Sequence, residues 1–526
     1  MKKKYFLLTY IIIVMLVFSC VLFSCKKNNN NSFASTVPSG KFWLNRIMSD
    51  NFNQITAELL AEGKYCTIWT EKGLDFSLGK AREMADTFDN VTYPRLMNTF
   101  SNRDGIAYNG QTFTNIMELA DWLGDGDGKL RILLFNRVDS VSYFLFTDLA
   151  KLNTDHPYGF YSNRSDMIYI AEGTLGADYL NGVIAHETTH LINYVTGLAT
   201  GREQVAQDLW INEGIATTAE WLYHDGNLKY RWWLRYHMYD SIGLGNIFFN
   251  THSENPYVSW QDYFSIYLFF SWLRLQAGSC DILHDIITSR HSDYRAVTEA
   301  ADRHIPGQGY DDWGTILKCW LAANYINAPD GPYGYMNDSV LKTIRPRTVP
   351  PEIPNLFLAP GEGVFSSVHE DFNFPAGEGN IRYAGLRMNP PELSDTAIFP
   401  GGVLLTYNAN ADIKGETEKG MAASIPASNL AVTKFEGEWK GSFPHSSPSS
   451  YNQIIFTGNT FVFRTYENGQ MKIFRSGTFA FTEITITFIP AQTGSWNGYT
   501  QIYSLNNDEL TFLSDGRSPY GTLTRQ

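Results

Sequence analysis

The sequence predicts an α+β domain, strands first and helices later, followed by all-β modules that end in a small antiparallel barrel or sandwich. Three observations carry this expectation. Strand-like runs YCTIWTE (65–71), LRILLFNRV (130–138) and MIYIAE (167–172) precede a stretch from 178 to about 325 dominated by helical apolar spacing. Near 346 the texture changes to PRTVPPEIPNLFLAPGEG, whose prolines cannot continue a helix. The last hundred residues alternate apolar and polar positions between turn signals.

A chain of 526 residues is too long for one compact domain. Its 44% apolar and 18% charged content suits globular folds with sizeable cores. The net charge of −13 argues against non-specific nucleic-acid binding and is read as solubility. The first residues, MKKK, are a basic segment followed by the apolar run YFLLTYIIIVMLVFSCVLFSC. That run ends in Leu22-Phe23-Ser24-Cys25 and then KKNNNNS, which resembles a bacterial lipoprotein signal with Cys25 as the lipidated residue. Cys20 is a second possible cleavage point, and an uncleaved spanning helix is the competing reading. The expectation is a signal peptide over 1–25, a flexible tether over 26–40, and a chain held at a membrane of the bacterial cell envelope by its lipid. Cys66, Cys280 and Cys319 remain; one disulfide is open to them, and spacing does not identify it.

Taken in order, residues 41–345 form the α+β domain. SLGKAREMADTFDNVTYPRLMNTF (77–100) has helical spacing. GDGDGK precedes a strand; Asp125-Gly-Asp127-Gly128 is half of a calcium loop, and a tight turn is the preferred reading. YFSIYLFFSWLRLQAG (263–278) is the most buried-looking helix. Residues 346–430 hold short runs such as GGVLLTYNA between Gly and Pro and read as a β-rich module. Residues 431–526 contain six to eight short strands, with Asn468-Gly469 as a hairpin signal between two of them. The opening FEGEWKG resembles lipocalin-like modules.

The chemistry concentrates in AHETTHLINYVTG (185–197). On a helix, His186 and His190 project from one face, where two imidazoles can hold a tetrahedral Zn²⁺. Glu187 lies on the flank of that face, and a carboxylate there can take a proton from a metal-bound water. A third ligand is required. DLWINEGIATTAEWL (208–222) has one apolar helical face, and carries Glu213, Thr217 and Glu220 on another. Glu213 is preferred because Asn212-Glu213-Gly214 reads as a helix start; Glu203, Asp208 and Glu220 are rivals.

H-E-x-x-H followed by W-[IL]-N-E-G-[IL]-A resembles the gluzincin zinc metallopeptidases. CTIWTE, MADTFDNVTYPRLMNTF, RILLFNRV, IYIAE, AHETTHLINY, WINEGIATTAEWL and YFSIYLFFSWL narrow the resemblance to the hyicolysin-like family, peptidase family M30, over roughly 60–320. The resemblance implies a zincin-like domain with a mixed-sheet lobe and a helical lobe, acting as a zinc endopeptidase on protein or peptide. It makes His186, His190 and Glu213 the ligands and Glu187 the general base. Thr188-Thr189 departs from the bulkier pair usual at the centre of the motif, which bears on cleft shape. Zinc lowers the pKa of its water, and Glu187 moves the proton to the leaving amine. Related enzymes use a tyrosine or histidine as oxyanion donor about fifty residues past the ligand glutamate; Tyr263 is the candidate, with Tyr267 and His237 behind it. Glu220 and Thr217 face the right way to orient the imidazoles. The alternative class is a catalytically silent surface lipoprotein that keeps the scaffold and binds through its C-terminal β-module.

Overall fold

Residues 40–45, 52–101, 105–136, 142–149, 161–175, 179–223 and 260–344, and shorter stretches from there to 525, are described by a computed structural model. The expected signal peptide over 1–25 with Cys20 and Cys25, residues 26–39 of the expected tether, and His237 lie outside the described residues. No described helix is long and apolar enough to cross a membrane. The chain divides into two compact units, Met1–Lys229 with Ile266–Asp312, and Tyr230–Ser265 with Trp313–Gln526.

The first unit opens with strands β1 (Lys41–Asn45), β2 (Phe52–Glu62) and β3 (Cys66–Glu71). Helices α1 (Leu78–Thr87) and α2 (Tyr93–Phe100) follow, then a hairpin of β4 (Ile106–Tyr108) and β5 (Gln111–Phe113), and helix α3 (Ile116–Leu123). Strands β6 (Leu130–Phe135), β7 (Tyr143–Phe144) and β8 (Met167–Ala171) complete a six-stranded sheet of order β1-β2-β3-β6-β8-β7. β6 is parallel to both β3 and β8, and the remaining pairs are antiparallel. The parallel centre explains the unbroken apolar runs: all five residues of MIYIA are buried, as expected of a strand covered on both faces.

The helical pattern over 77–100 is interrupted. Residues Phe88–Thr92 form a π turn between α1 and α2, and Pro94 stands in the first turn of α2. Pro94 has no N–H to offer the carbonyl four residues back, so the ladder widens by one residue there. Beyond β8 come α4 (Leu180–Thr200), α5 (Leu209–Tyr223), α6 (Trp260–Ala277), α7 (Asp281–Thr288) and α8 (Tyr294–His304). α6 buries every residue from Ser265 to Leu273. Among the described residues, Cys66, Cys280 and Cys319 form no disulfide.

In the second unit α9 (Trp313–Ile326) packs on the sheet that follows it. That sheet holds β9 (Thr348–Val349), β11 (Gly363–Ser367), β12 (Ile381–Arg387), β13 (Glu392–Ser394) and β14 (Val403–Asn408), while β10 (Phe357–Leu358) pairs separately with β15 (Gly420–Met421). A Cβ on Gly363 would meet the Leu321 side chain at 2.6 Å, so glycine lets strand and helix approach; Tyr325 stacks on Phe365 at 5.3 Å. The last strands, β16 (Gly437–Ser442), β17 (Ser450–Thr457), β18 (Thr460–Glu467), β19 (Gln470–Phe481), β20 (Thr485–Pro490), β21 (Tyr499–Asn506), β22 (Glu509–Leu513) and β23 (Pro519–Arg525), form a closed barrel. Each pairs antiparallel with the next, and β23 closes on β16. Of the barrel and sandwich left open by the strand pattern, the barrel forms. Trp439, Ile454, Phe456, Phe461, Leu510 and Leu523 are buried in it.

Candidate metal centre

α4 carries His186, Glu187 and His190 on its second and third turns and ends at Gly201, whose φ of 64° is the left-handed geometry of a helix C-cap. α5 begins at Leu209, so Glu213 lies one turn inside the helix rather than at its start. Glycines let neighbouring segments close on both helices: Gly197 of α4 faces the turn between them, and Gly214 of α5 faces α6. A Cβ on Gly197 would meet the Val205 carbonyl at 2.1 Å, and one on Gly214 would meet the Phe270 ring at 2.2 Å.

The result is a convergence of donors. Glu213 Oε2 is 3.3 Å from His186 Nε2 and 3.7 Å from His190 Nε2. The three ligand atoms all lie within 4.8 Å of one another. Atoms bound at about 2.0–2.1 Å to a tetrahedral zinc stand about 3.3–3.4 Å apart, so the donor set fits the ion with small adjustments. Charge agrees. Glu187 and Glu220 are buried and Glu213 half-buried, so three carboxylates crowd two imidazoles. A divalent cation would complement this acidic setting.

Glu220 Oε1 is 2.8 Å from His186 Nδ1, which orients the ring so that Nε2 faces Glu213. Burial works against a charge on His186, but Glu213 and Glu220 outweigh it and its pKa rises well above the usual value. Burial holds His190 below its usual value despite Glu213. Burial also pushes Glu187 up to about 8; His186 pulls the other way, and Glu213 and Glu220 add to the rise.

Of the other candidates, Thr217 makes no hydrogen bond through its buried Oγ1 among the described residues. Glu203 is engaged by His291 at 3.1 Å and Arg295 at 2.6 Å, and Asp208 supplies its carbonyl to the first turn of α5. Neither joins the donor group. Tyr263, in the first turn of α6, is half-buried and falls in the second unit; Tyr267, one turn on, is buried and falls in the first. Thr188 and Thr189 are buried and return their hydroxyls to the carbonyls of Ile184 and Ala185, both at 2.7 Å. They therefore face the core.

Sequence reasoning missed the frame behind the donors. Asn193 on α4 donates to Asn212 Oδ1 on α5 at 2.9 Å, and Arg202 donates to Asn193 Oδ1 at 2.9 Å. The buried Arg202 also donates to the carbonyls of Val205, Ser289 and Ile287, locking the turn between the helices against the end of α7. The signal was present: Asn193 is three residues past His190, and Asn212 precedes Glu213.

No family model matches the chain. Among curated proteins, the chain is similar to the neutral metalloprotease ShpI of Staphylococcus hyicus, 23% identical over 336 residues that cover 61% of this chain and 70% of that protein. The chain is thus distantly related to a metalloprotease, and it carries a His186–His190–Glu213 group able to bind a metal.

Proposed function

We propose that this chain is an exported, lipid-anchored zinc metalloendopeptidase of the hyicolysin-like family (M30). The observation that carries this reading is the approach of Glu213 Oε2 to both His186 Nε2 and His190 Nε2, at 3.3 and 3.7 Å. His186, His190 and Glu213 hold the ion, and Glu220 fixes the His186 ring through its other nitrogen. Zinc, when bound, polarises a carbonyl and acidifies a water. Glu187 is the general base. Its burial gives the carboxylate a raised affinity for a proton, so it accepts one and returns it to the leaving amine. Tyr263 is proposed as the donor to the developing oxyanion, on its place in the chain about fifty residues past Glu213. The substrate is a protein or peptide. The anchor is a lipid on Cys25, placing the enzyme at the bacterial cell envelope, and the C-terminal barrel is read as a lipocalin-like module.

The test uses the full chain. Bound zinc is measured by elemental analysis, and casein cleavage is followed with and without a chelator. We expect one zinc per chain and chelator-sensitive cleavage. Glu187→Ala should retain zinc and lose about 10²–10⁴-fold in turnover, the usual contribution of a positioned base. Full activity in that variant removes Glu187 from the mechanism; absence of both zinc and cleavage removes the peptidase reading.

A further inference from the structure

A second acidic cluster lies in the first unit. One carboxylate oxygen each from Asp121, Asp125 and Asp166 falls within 4.8 Å of the others. Asp121 is on α3, Asp125 is in the turn that leads to β6, and Asp166 immediately precedes β8. The strands are parallel neighbours, with Arg131 opposite Met167, so the cluster sits where both begin. β8 leaves the sheet at its other end toward α4, which bears the histidines.

An acidic cluster alone says little, since exposed carboxylates are content in water. Asp166 is different. It is 1% exposed, and its Oδ1 is buried with no hydrogen-bond partner among the described residues. A Cβ on Gly124 would stand 3.0 Å from that Oδ1 and 2.4 Å from the Asp166 backbone nitrogen. The orphan oxygen is therefore aimed at the glycine-rich turn that carries Asp125. A buried carboxylate oxygen without a donor costs about 1–3 kcal/mol or more.

Other oxygens of the cluster are engaged. Arg131 reaches Asp125 at 2.5 Å and Asp127 at 3.0 Å. Backbone N–H groups take up part of the load: Gly128 donates to Asp121 Oδ1 at 2.7 Å, and Lys129 donates to Asp127 Oδ1 at 3.0 Å. None of these reaches Asp166. All the donors are oxygens, which suits a hard cation. Their spread lies inside the roughly 5 Å that separates opposite oxygens around Ca²⁺, and a glycine-rich turn tolerates the irregular geometry of that ion better than the strict octahedron of Mg²⁺.

We propose that Asp121, Asp125 and Asp166 bind one Ca²⁺ ion that ties the turn after α3 to the start of β8. The site is separate from the zinc centre in residues and donor chemistry. Its role is to brace the parallel centre of the sheet whose far end feeds the α4 helix.

The experiment uses the zinc-loaded full chain, freed of calcium with a chelating resin. Tb³⁺ is added and its emission is read on excitation of tryptophan, with Trp122 next in sequence to Asp121 as energy donor. We expect saturable emission that Ca²⁺ displaces and equal Mg²⁺ does not, and a melting temperature that rises with Ca²⁺ at constant zinc content. Asp166→Asn should abolish the displacement. As a control on folding, the exposed Asp125→Asn is made beside that buried variant and should weaken Ca²⁺ binding by about tenfold or more. The proposal is overturned if the native chain shows no Ca²⁺-displaceable emission, if Asp125→Asn binds Ca²⁺ as tightly as the native chain, or if Mg²⁺ competes equally.

Discussion

Glu220 shows how one carboxylate can act through another residue. It contacts His186 Nδ1, not the atom that faces Glu213. Removing it leaves a buried ring nitrogen without its partner and lets the imidazole rotate. Glu220→Ala should weaken zinc binding by about 10–100-fold, measured by competition with a chromophoric chelator, while activity returns at saturating zinc. Unchanged affinity would show that the ring is held by packing alone. Asp148 presents a different case. It is buried, accepts the Asn163 N–H at 2.6 Å and the Tyr169 hydroxyl at 2.5 Å, and burial pushes its pKa up to about 7 against these two bonds. A carboxyl whose folded pKa lies above its unfolded one binds more protons when folded. Its stabilising share is complete below about pH 4 and is lost as pH rises through about 7. Melting curves of the native chain should therefore fall relative to Asp148→Asn between pH 4 and 8. A gap independent of pH would contradict the assignment.

At the scale of elements, the site is a meeting of two helices, and a glycine beside it sets how closely a third helix approaches. α5 admits Phe270 of α6 against Gly214, next to Glu213. Gly214→Ala would gain helix propensity locally but force the ring aside, an overpacking that costs about 1–3 kcal/mol. We expect a lower melting temperature and weaker zinc binding together; a stabilised protein would mean that Phe270 relaxes freely. The asparagine and arginine frame makes the same point. Asn193, Asn212 and Arg202 bond across α4, α5 and the turn between them. Each alone reads as an ordinary polar residue. The His-Glu pattern was legible because its spacing is set by one helix; this frame was not, because its members meet only after two helices pack. Thr188 and Thr189 illustrate the reverse. The sequence marks them as a departure bearing on the cleft, and their burial turns them toward the core.

At the scale of the molecule, the chain joins an α/β unit bearing the metal donors to a unit rich in antiparallel sheet. In the barrel, hydrogen bonding closes on itself from β16 to β23, which removes the free edges that invite aggregation. Where the whole assembly resides depends on residues outside the described ones. With Cys25 as the lipidated residue, labelled palmitate should enter the chain in bacteria and be lost on Cys25→Ala. Labelling that persists would move the attachment to Cys20, and no labelling would favour an uncleaved helix.

By itself, the sequence determined what is local. It held the helical phase that puts His186 and His190 on one face, the apolar runs of a doubly covered parallel sheet, and the alternation that ends in a barrel. These follow from the repeat of a single element, so a short window contains them. Tertiary structure alone decided which of Glu203, Asp208, Glu213 and Glu220 approaches the imidazole Nε2 atoms, and that Asp166 comes to Asp121 and Asp125 across more than forty residues of chain. Such meetings depend on packing distance and on burial that strips a carboxylate of water. Neither is written in the spacing of residues along the chain.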